Sequence, residues 1–180
     1  MLLFTEPGRT PDPAVAAERL PRGAGVVFRA FGAADALAKG LALARVCRRR
    51  GLVLLVGADP ELARRLRADG VHLPERLARR AGVIAALRRR FRVTAAAHDL
   101  PAVLAAGRAG AEGLVISPVF PSLSRSAGKP LGPMVLAGLV RQARIPTYAL
   151  GGVNAHSARA LGLTGVSGLA AVEALSAVRT

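Results

Sequence analysis

Cysteine occurs once, as Cys47, so no internal disulfide can staple the chain, and a reducing compartment, the cytoplasm, is the expected location. Aromatic residues make up 3% of the 180 positions, too few to interleave with the basic residues and stack on bases. No uninterrupted apolar run reaches the length of a bilayer-crossing helix. The opening segment, MLLFTEPGRT, lacks a basic stretch and meets Glu6 and Pro7 almost at once, so no signal peptide is expected. Acidic residues are scarce as well: 11 stand against 26 Lys and Arg, a net charge of +15. Lys39 and Lys129 are the only lysines, which leaves 24 arginines. They cluster at Arg48–Arg50, Arg64–Arg67, Arg76–Arg80 and Arg88–Arg92, each near the end of an expected helix, where a cation suits the helix dipole. That reading is favoured over a polyanionic partner, so nucleic acid is not expected.

What the chain has in quantity is aliphatic: 52% of residues are hydrophobic, enough to exclude disorder and to fill the core of one domain spanning 1–180. Short β-like runs alternate with Ala/Leu-rich helical ones. Strands are expected at Leu2–Thr5, Gly25–Arg29, Leu52–Val56, Gly70–Leu73, Arg92–Ala97, Gly113–Ser117, Thr147–Leu150 and Gly165–Ala170. The clearest helices are expected at Ala34–Arg49, Glu61–Arg67, Leu100–Ala109, Pro133–Ala143, Ala155–Leu161 and Val172–Val178. Asp59-Pro60-Glu61 carries a helix-start signal, Asp99 and Asn154 stand where helix caps belong, and Gly51 and Gly110 stand where helices should stop. Runs such as LVLLV and GLVIS are apolar throughout, as strands buried on both faces are. Eight such strands alternating with helices imply an α/β fold, a (β/α)8 TIM barrel in a single domain, with the doubly wound open sheet as the alternative. The segment from Pro74 to Arg90 reads least regularly, because Gly82 interrupts its helical pattern.

In such a barrel the site lies at the C-terminal ends of the strands. The turn Leu150-Gly151-Gly152-Val153-Asn154 follows strand seven. Its glycines let backbone N–H groups approach an anion at the start of a helix, although a plain tight turn would use the same residues. Phosphate sites in this fold are commonly built from the loops after strands seven and eight, so Gly168, Leu169 and Ala170, expected at the end of strand eight, join Gly151 and Gly152 as phosphate-binding candidates. The connection from Pro118 to Gly132 is long for its kind. Its Ser122, Ser124, Arg125, Ser126 and Lys129 supply hydroxyl and cationic donors suited to a diphosphate. His72 and His98 stand at strand ends, where either could exchange a proton near neutral pH or serve as a hydrogen-bonded structural group.

Taken together, GVHL at 70–73, the AAH before Asp99, SPVFPSLSR at 117–125, PLG at 130–132 and YALGGV at 148–153 resemble the thiamine phosphate synthase/TenI family, in order and spacing, from about Leu2 to the C-terminus. The resemblance implies thiamine biosynthesis. A synthase of this family is a transferase that joins hydroxymethylpyrimidine diphosphate to thiazole phosphate and releases diphosphate with the help of Mg2+. A TenI-like member is a thiazole tautomerase, and a third reading is a barrel that binds thiazole or thiamine phosphate without catalysis. The expected partners are phosphorylated thiazole and pyrimidine small molecules. Self-association as a homo-oligomer is compatible with the sequence, and no membrane is expected.

Residue by residue, Arg29 matches the arginine of the family's Gln-x-Arg-x-Lys pattern, with Val27 and Phe31 in place of the Gln and Lys. Ser122, Ser124 and Arg125 stand for its Thr-x-Thr-Lys loop. With His98 these make up the catalytic candidates. The Val-Ser-Ala-Ile ending appears as Leu169-Ala170-Ala171-Val172, without its serine. The position TenI members fill with a catalytic histidine holds Pro118. The family's Asn-Asp after strand three aligns with Gly57-Ala58, and its Gly-Gln-x-Asp after strand four aligns with Pro74-Glu75-Arg76-Leu77. The metal and pyrimidine end is therefore divergent. Asp59 and Glu75 are the carboxylates left to hold Mg2+, against the alternative roles of helix cap and first-turn acid.

Overall fold

A computed structural model describes residues 1–87, 91–122, 124 and 128–172. Eight parallel strands close a barrel in chain order: β1 Leu2–Phe4, β2 Gly25–Phe28, β3 Val53–Gly57, β4 Gly70–Leu73, β5 Arg92–Ala97, β6 Gly113–Ile116, β7 Thr147–Ala149 and β8 Gly168–Ala171. Closure is made by β8 against β1, where Leu2 pairs with Ala170 and Leu3 with Ala171. Around the barrel lie α1 Pro13–Glu18, α2 Ala36–Arg50, α3 Pro60–Leu66, α4 Ala81–Leu87, α5 Leu100–Arg108 and α6 Gly132–Ala143. Short 3-10 helices occupy Glu75–Arg80 and Ser157–Leu161.

Strand alternation divides the apolar residues into two layers. Leu2, Phe4, Val27, Leu55, Val115 and Ala170 pack together inside the barrel. Their chain neighbours Leu3, Val26, Leu54, Val56, Leu114 and Ile116 join the helices in the outer core. The even strands all begin with glycine, at Gly25, Gly70, Gly113 and Gly168. Two of these glycines, Gly25 and Gly168, make room for large neighbours at the barrel floor. A Cβ on Gly25 would meet Leu2 Cδ2 at 2.5 Å, and one on Gly168 would meet Tyr148 Cε1 at 2.9 Å. At Gly70 the neighbour is backbone, with the Arg92 carbonyl oxygen 1.9 Å from such a Cβ.

The helix starts follow local chemistry. Asp59 Oδ1 accepts the Leu62 N–H at 2.8 Å, and Asp99 Oδ1 accepts that of Ala102 at 2.8 Å. Asp12 caps α1, a helix outside the clearest sequence signals, by accepting from Ala14 and Val15. Gly51 ends α2 at φ 65°. Arginines occupy the last turns of α2 and α3, and Arg48 and Arg50 donate to the Leu66 and Leu20 carbonyls. Arg88–Arg90 lie outside the described residues.

Three expectations need correction. The helix expected over Ala155–Leu161 is a 3-10 turn over Ser157–Leu161. Asn154 Oδ1 accepts from His156 and Ser157, and the Ser157 hydroxyl donates to the Gly152 carbonyl, so the chain winds tightly there. Gly82 begins no break. The 3-10 turn at Glu75–Arg80 leads into α4, and a Cβ on Gly82 would lie 2.9 Å from the Ala109 carbonyl oxygen at the end of α5. Strand eight runs Gly168–Ala171 rather than Gly165–Ala170, which moves its C-terminal end to Ala171 and Val172. Of the helix expected over Val172–Val178, only Val172 lies within the described residues.

His72 faces the barrel interior. Its ring meets Phe4 edge-on at 5.0 Å, and Nδ1 is 2.9 Å from Thr94 Oγ1. Burial, with nearby Arg29 adding to it, lowers its pKa from 6.5 to about 3, so it is a neutral structural group at neutral pH. The unfolded chain takes up this proton first. The stability His72 contributes is therefore full above 6.5 and lost as pH falls towards about 3. Urea unfolding of wild type between about pH 7 and about pH 4 should show a slope of up to about 1.4 kcal/mol per pH unit from this group, and His72→Gln should flatten it. Gly70→Ala should destabilise by about 2 kcal/mol or more, because a strand backbone cannot yield, whereas Gly25→Ala should lose less by displacing a Leu2 methyl.

Candidate active site

The C-terminal ends of the strands open into a cavity of about 980 Å³. Of the residues singled out in the sequence, Arg29, Asp59, Glu75, His98, Ser122, Ser124, Gly151 and Gly152 all line it. Gly168, Leu169 and Ala170 do not. They lie within β8, with Gly168 against the Tyr148 ring at the floor and Ala170 fully buried, while Ala171 and Val172 reach the cavity. The reason is register: the strand ends one residue later than its sequence pattern implies. Arg125 and Ser126 lie outside the described residues.

Arg29 follows β2 and is held on several sides. Its N–H and Nε–H donate to Thr5 Oγ1 and the Thr5 carbonyl at 3.0 and 2.8 Å, and Nη2 is 3.5 Å from Glu6 Oε2. The guanidinium lies 5.4 Å from the ring centres of both Phe4 and Phe31. Burial draws its pKa below the usual arginine value and Glu6 opposes that shift, but an arginine so placed stays protonated. The other guanidinium N–H groups donate to nothing among the described residues.

His98 follows β5. Its Nδ1 meets the Ser117 carbonyl oxygen, which can only accept, so Nδ1 carries the proton and Nε2 of the neutral ring is left as an acceptor. Nε2 lies 3.9 Å from Glu75 Oε2, and that same oxygen accepts the His98 backbone N–H at 3.0 Å. Glu75 thus orients the loop that carries His98. Ser122 Oγ accepts the Ser124 N–H at 3.3 Å, a small turn that brings both serines to the cavity.

The glycine turn after β7 is shaped by its neighbours. Gly151 and Gly152 have φ of 95° and 64°, and Cβ atoms there would lie 2.8 Å from Pro118 Cα and 2.4 Å from the Pro121 carbonyl oxygen. Only glycine fits both the conformation and the contact. The N–H groups of Gly151, Gly152 and Val153 donate to no group among the described residues, while Asn154 and Ser157 brace the turn from behind. Successive free amides of this kind form an anion-binding concavity.

The carboxylates do not form a ready metal centre. Leu77 packs against the outer core, and Ala58 has no donor side chain. Asp59 and Glu75 line the cavity, but each already spends an oxygen on a backbone N–H. Among the described residues no three of His, Cys, Asp and Glu are grouped to hold an ion. Sequence reasoning passed over Arg9 and gave no site role to Phe31, Arg76 or Asn154, which also line the cavity. Arg9, in the loop after β1, was reachable by the strand-end rule. Phe31 was not, because it adopts φ 47° and stays 72% exposed, against every local preference of an aromatic residue.

Comparison with known proteins agrees with this geometry. A family model described as thiamine monophosphate synthase matches residues 3–175. The chain is 35% identical over 143 residues to the thiamine-phosphate synthase of Levilactobacillus brevis, covering 78% of this chain and 66% of that protein. It is 34% identical over 151 residues to the thiamine-phosphate synthase of Geobacillus kaustophilus, covering 79% and 65%. The chain thus spans about two thirds of the length of these curated relatives. Among solved structures, the thiamine phosphate pyrophosphorylase from Pyrococcus furiosus superposes with a TM-score of 0.82 at 26% identity, over 98% of this chain and 87% of that one. In sequence and in fold, the chain belongs to the thiamine monophosphate synthase family.

Proposed function

We propose that the chain is a transferase that joins hydroxymethylpyrimidine diphosphate to thiazole phosphate and releases diphosphate. The observation that carries this reading is the division of one cavity into two anion-receptive sides. The free amides of Gly151, Gly152 and Val153 sit at β7, and Arg9, Arg29 and Arg76 sit on loops after β1, β2 and β4. In an eight-strand ring these lie on different sides, so two phosphorylated substrates can enter with their anionic ends apart.

The thiazole phosphate takes the amide concavity, where the backbone needs no reorganisation to receive charge. The diphosphate takes the Arg29 guanidinium, while the Ser122 and Ser124 hydroxyls, on the loop packed against the glycine turn, add donors on the thiazole phosphate side. The bond from the pyrimidine methylene to the diphosphate oxygen breaks, and its electron pair leaves on that oxygen. The thiazole nitrogen lone pair then forms the new C–N bond. His98 Nε2, an acceptor when the ring is neutral, takes a hydrogen bond from the pyrimidine amino group and sets the ring's orientation.

A second reading, thiazole tautomerisation, is favoured by the same His98 Nε2, which could carry a proton between ring positions. Diphosphate release requiring both substrates supports the transferase. Tautomer conversion of a thiazole carboxylate phosphate, lost in His98→Ala, would replace that reading with the isomerase. Asn154→Ala, which unbraces the glycine turn, should weaken thiazole phosphate binding several-fold by calorimetry and leave pyrophosphate binding unchanged.

A further inference from the structure

The cavity wall after β3 and β4 carries Asp59, Glu75 and Arg76, with an arginine beside the place where the family resemblance puts its metal carboxylates. Ala58 and Leu77 occupy those two positions. Leu77 is packed against the outer core. The nearby acids are occupied: Asp59 Oδ1 holds the start of α3, and Glu75 Oε2 holds the His98 backbone. Between Glu75 and Leu77 stands Arg76, exposed and lining the cavity.

Four arginines of this chain have carboxylate partners among the described residues. Arg49 pairs with Glu18, Arg64 with Glu61, and both Arg9 and Arg29 with Glu6. Arg76 has no ion-pair or hydrogen-bond partner among the described residues, although Glu75 is its chain neighbour. Its charge is therefore not spent inside the protein. Pro74 at φ −62° begins the 3-10 turn directly after β4, so the Arg76 backbone is fixed at the rim rather than carried on a long loop. A guanidinium presents paired N–H donors that match two phosphate oxygens, and near a partly enclosed cavity such a pair is stronger than in open water.

From this we propose that Arg76, with Arg29, binds the diphosphate group directly and supplies the positive charge that a divalent cation would otherwise supply, so that this chain holds diphosphate without metal. The proposal rests on the transferase reading for its substrate, and the leaving electron pair stays on the diphosphate oxygen. As the C–O bond breaks, the added negative charge on the departing oxygen is met by N–H donors already in place.

The test is calorimetric titration of the whole chain with inorganic pyrophosphate, in excess EDTA and again with Mg2+. Binding in EDTA is expected, with affinity changed less than about threefold by Mg2+. Arg76→Gln should weaken it on the order of tenfold or more, and Arg76→Lys should recover part of the loss, since a point charge lacks the paired donors. Glu75→Gln separates the two explanations by sign: it should leave pyrophosphate binding equal or tighter by removing a like charge, whereas a metal site would lose affinity. Binding seen only with Mg2+, or Arg76→Gln binding as tightly as wild type, overturns the proposal. Arg76 is exposed, so an unchanged melting temperature shows that the variant is folded. If pyrophosphate binds in EDTA as expected but no diphosphate is released from the two substrates, the transferase reading fails and the arginine site stands.

Discussion

Two backbone hydrogen bonds, Val119 N–H to the Leu150 carbonyl and Phe120 N–H to the Gly151 carbonyl, both at 2.9 Å, lock the loop after β6 onto the loop after β7. Two more at 2.9 Å, from Leu131 to Pro118 and from Gly132 to Val119, draw the far end of the long loop back to its start and place α6. The approach is so close that residues 151 and 152 have no room for a side chain. The open end of the barrel depends on this seam. It holds the turn in which the amides of Gly151, Gly152 and Val153 have no partner among the described residues, and it brings Ser122 and Ser124 alongside. The glycines are thus required first by packing, and the anion-receptive surface is the consequence.

The rest of the cavity is built by a different economy of interactions. The barrel interior is apolar at its floor, and its polar members are satisfied locally, as His72 is by Thr94. Charge enters only at the rim, and mainly as arginine. Arg29 is pinned by Thr5 and stacked near two phenylalanines, so little side-chain entropy is left to lose when a ligand arrives. Elsewhere some arginines serve helix ends and nearby acids, as Arg48, Arg50 and Arg49 do.

How far the sequence could be read varied with the range of the interaction involved. The eight strands were legible because apolar runs and capping residues act within a few positions. Asp59 and Asp99 cap the helices their spacing implies. Gly151 and Gly152 were legible as a special turn, but their reason was not, since Pro118 and Pro121 approach from another loop. The end of strand eight was misplaced, and with it Gly168, Leu169 and Ala170, because a run of small residues has no periodic pattern to mark its register. Phe31 and Arg76 were aligned but given no site role, because local propensity makes them an exposed aromatic and one arginine among 24.

By itself, then, the sequence determined the alternation of strand and helix, the parallel barrel and the family to which its motifs belong, since these depend on hydrophobic period, caps and short-range spacing. Only the tertiary structure decided which residues meet. Ring closure sets the register of β8, backbone contact between two loops frees three amides, and the strand order carries Arg9, Arg29 and Arg76 from separate segments to one rim. Those outcomes depend on distances between positions far apart in the chain, which no local pattern encodes.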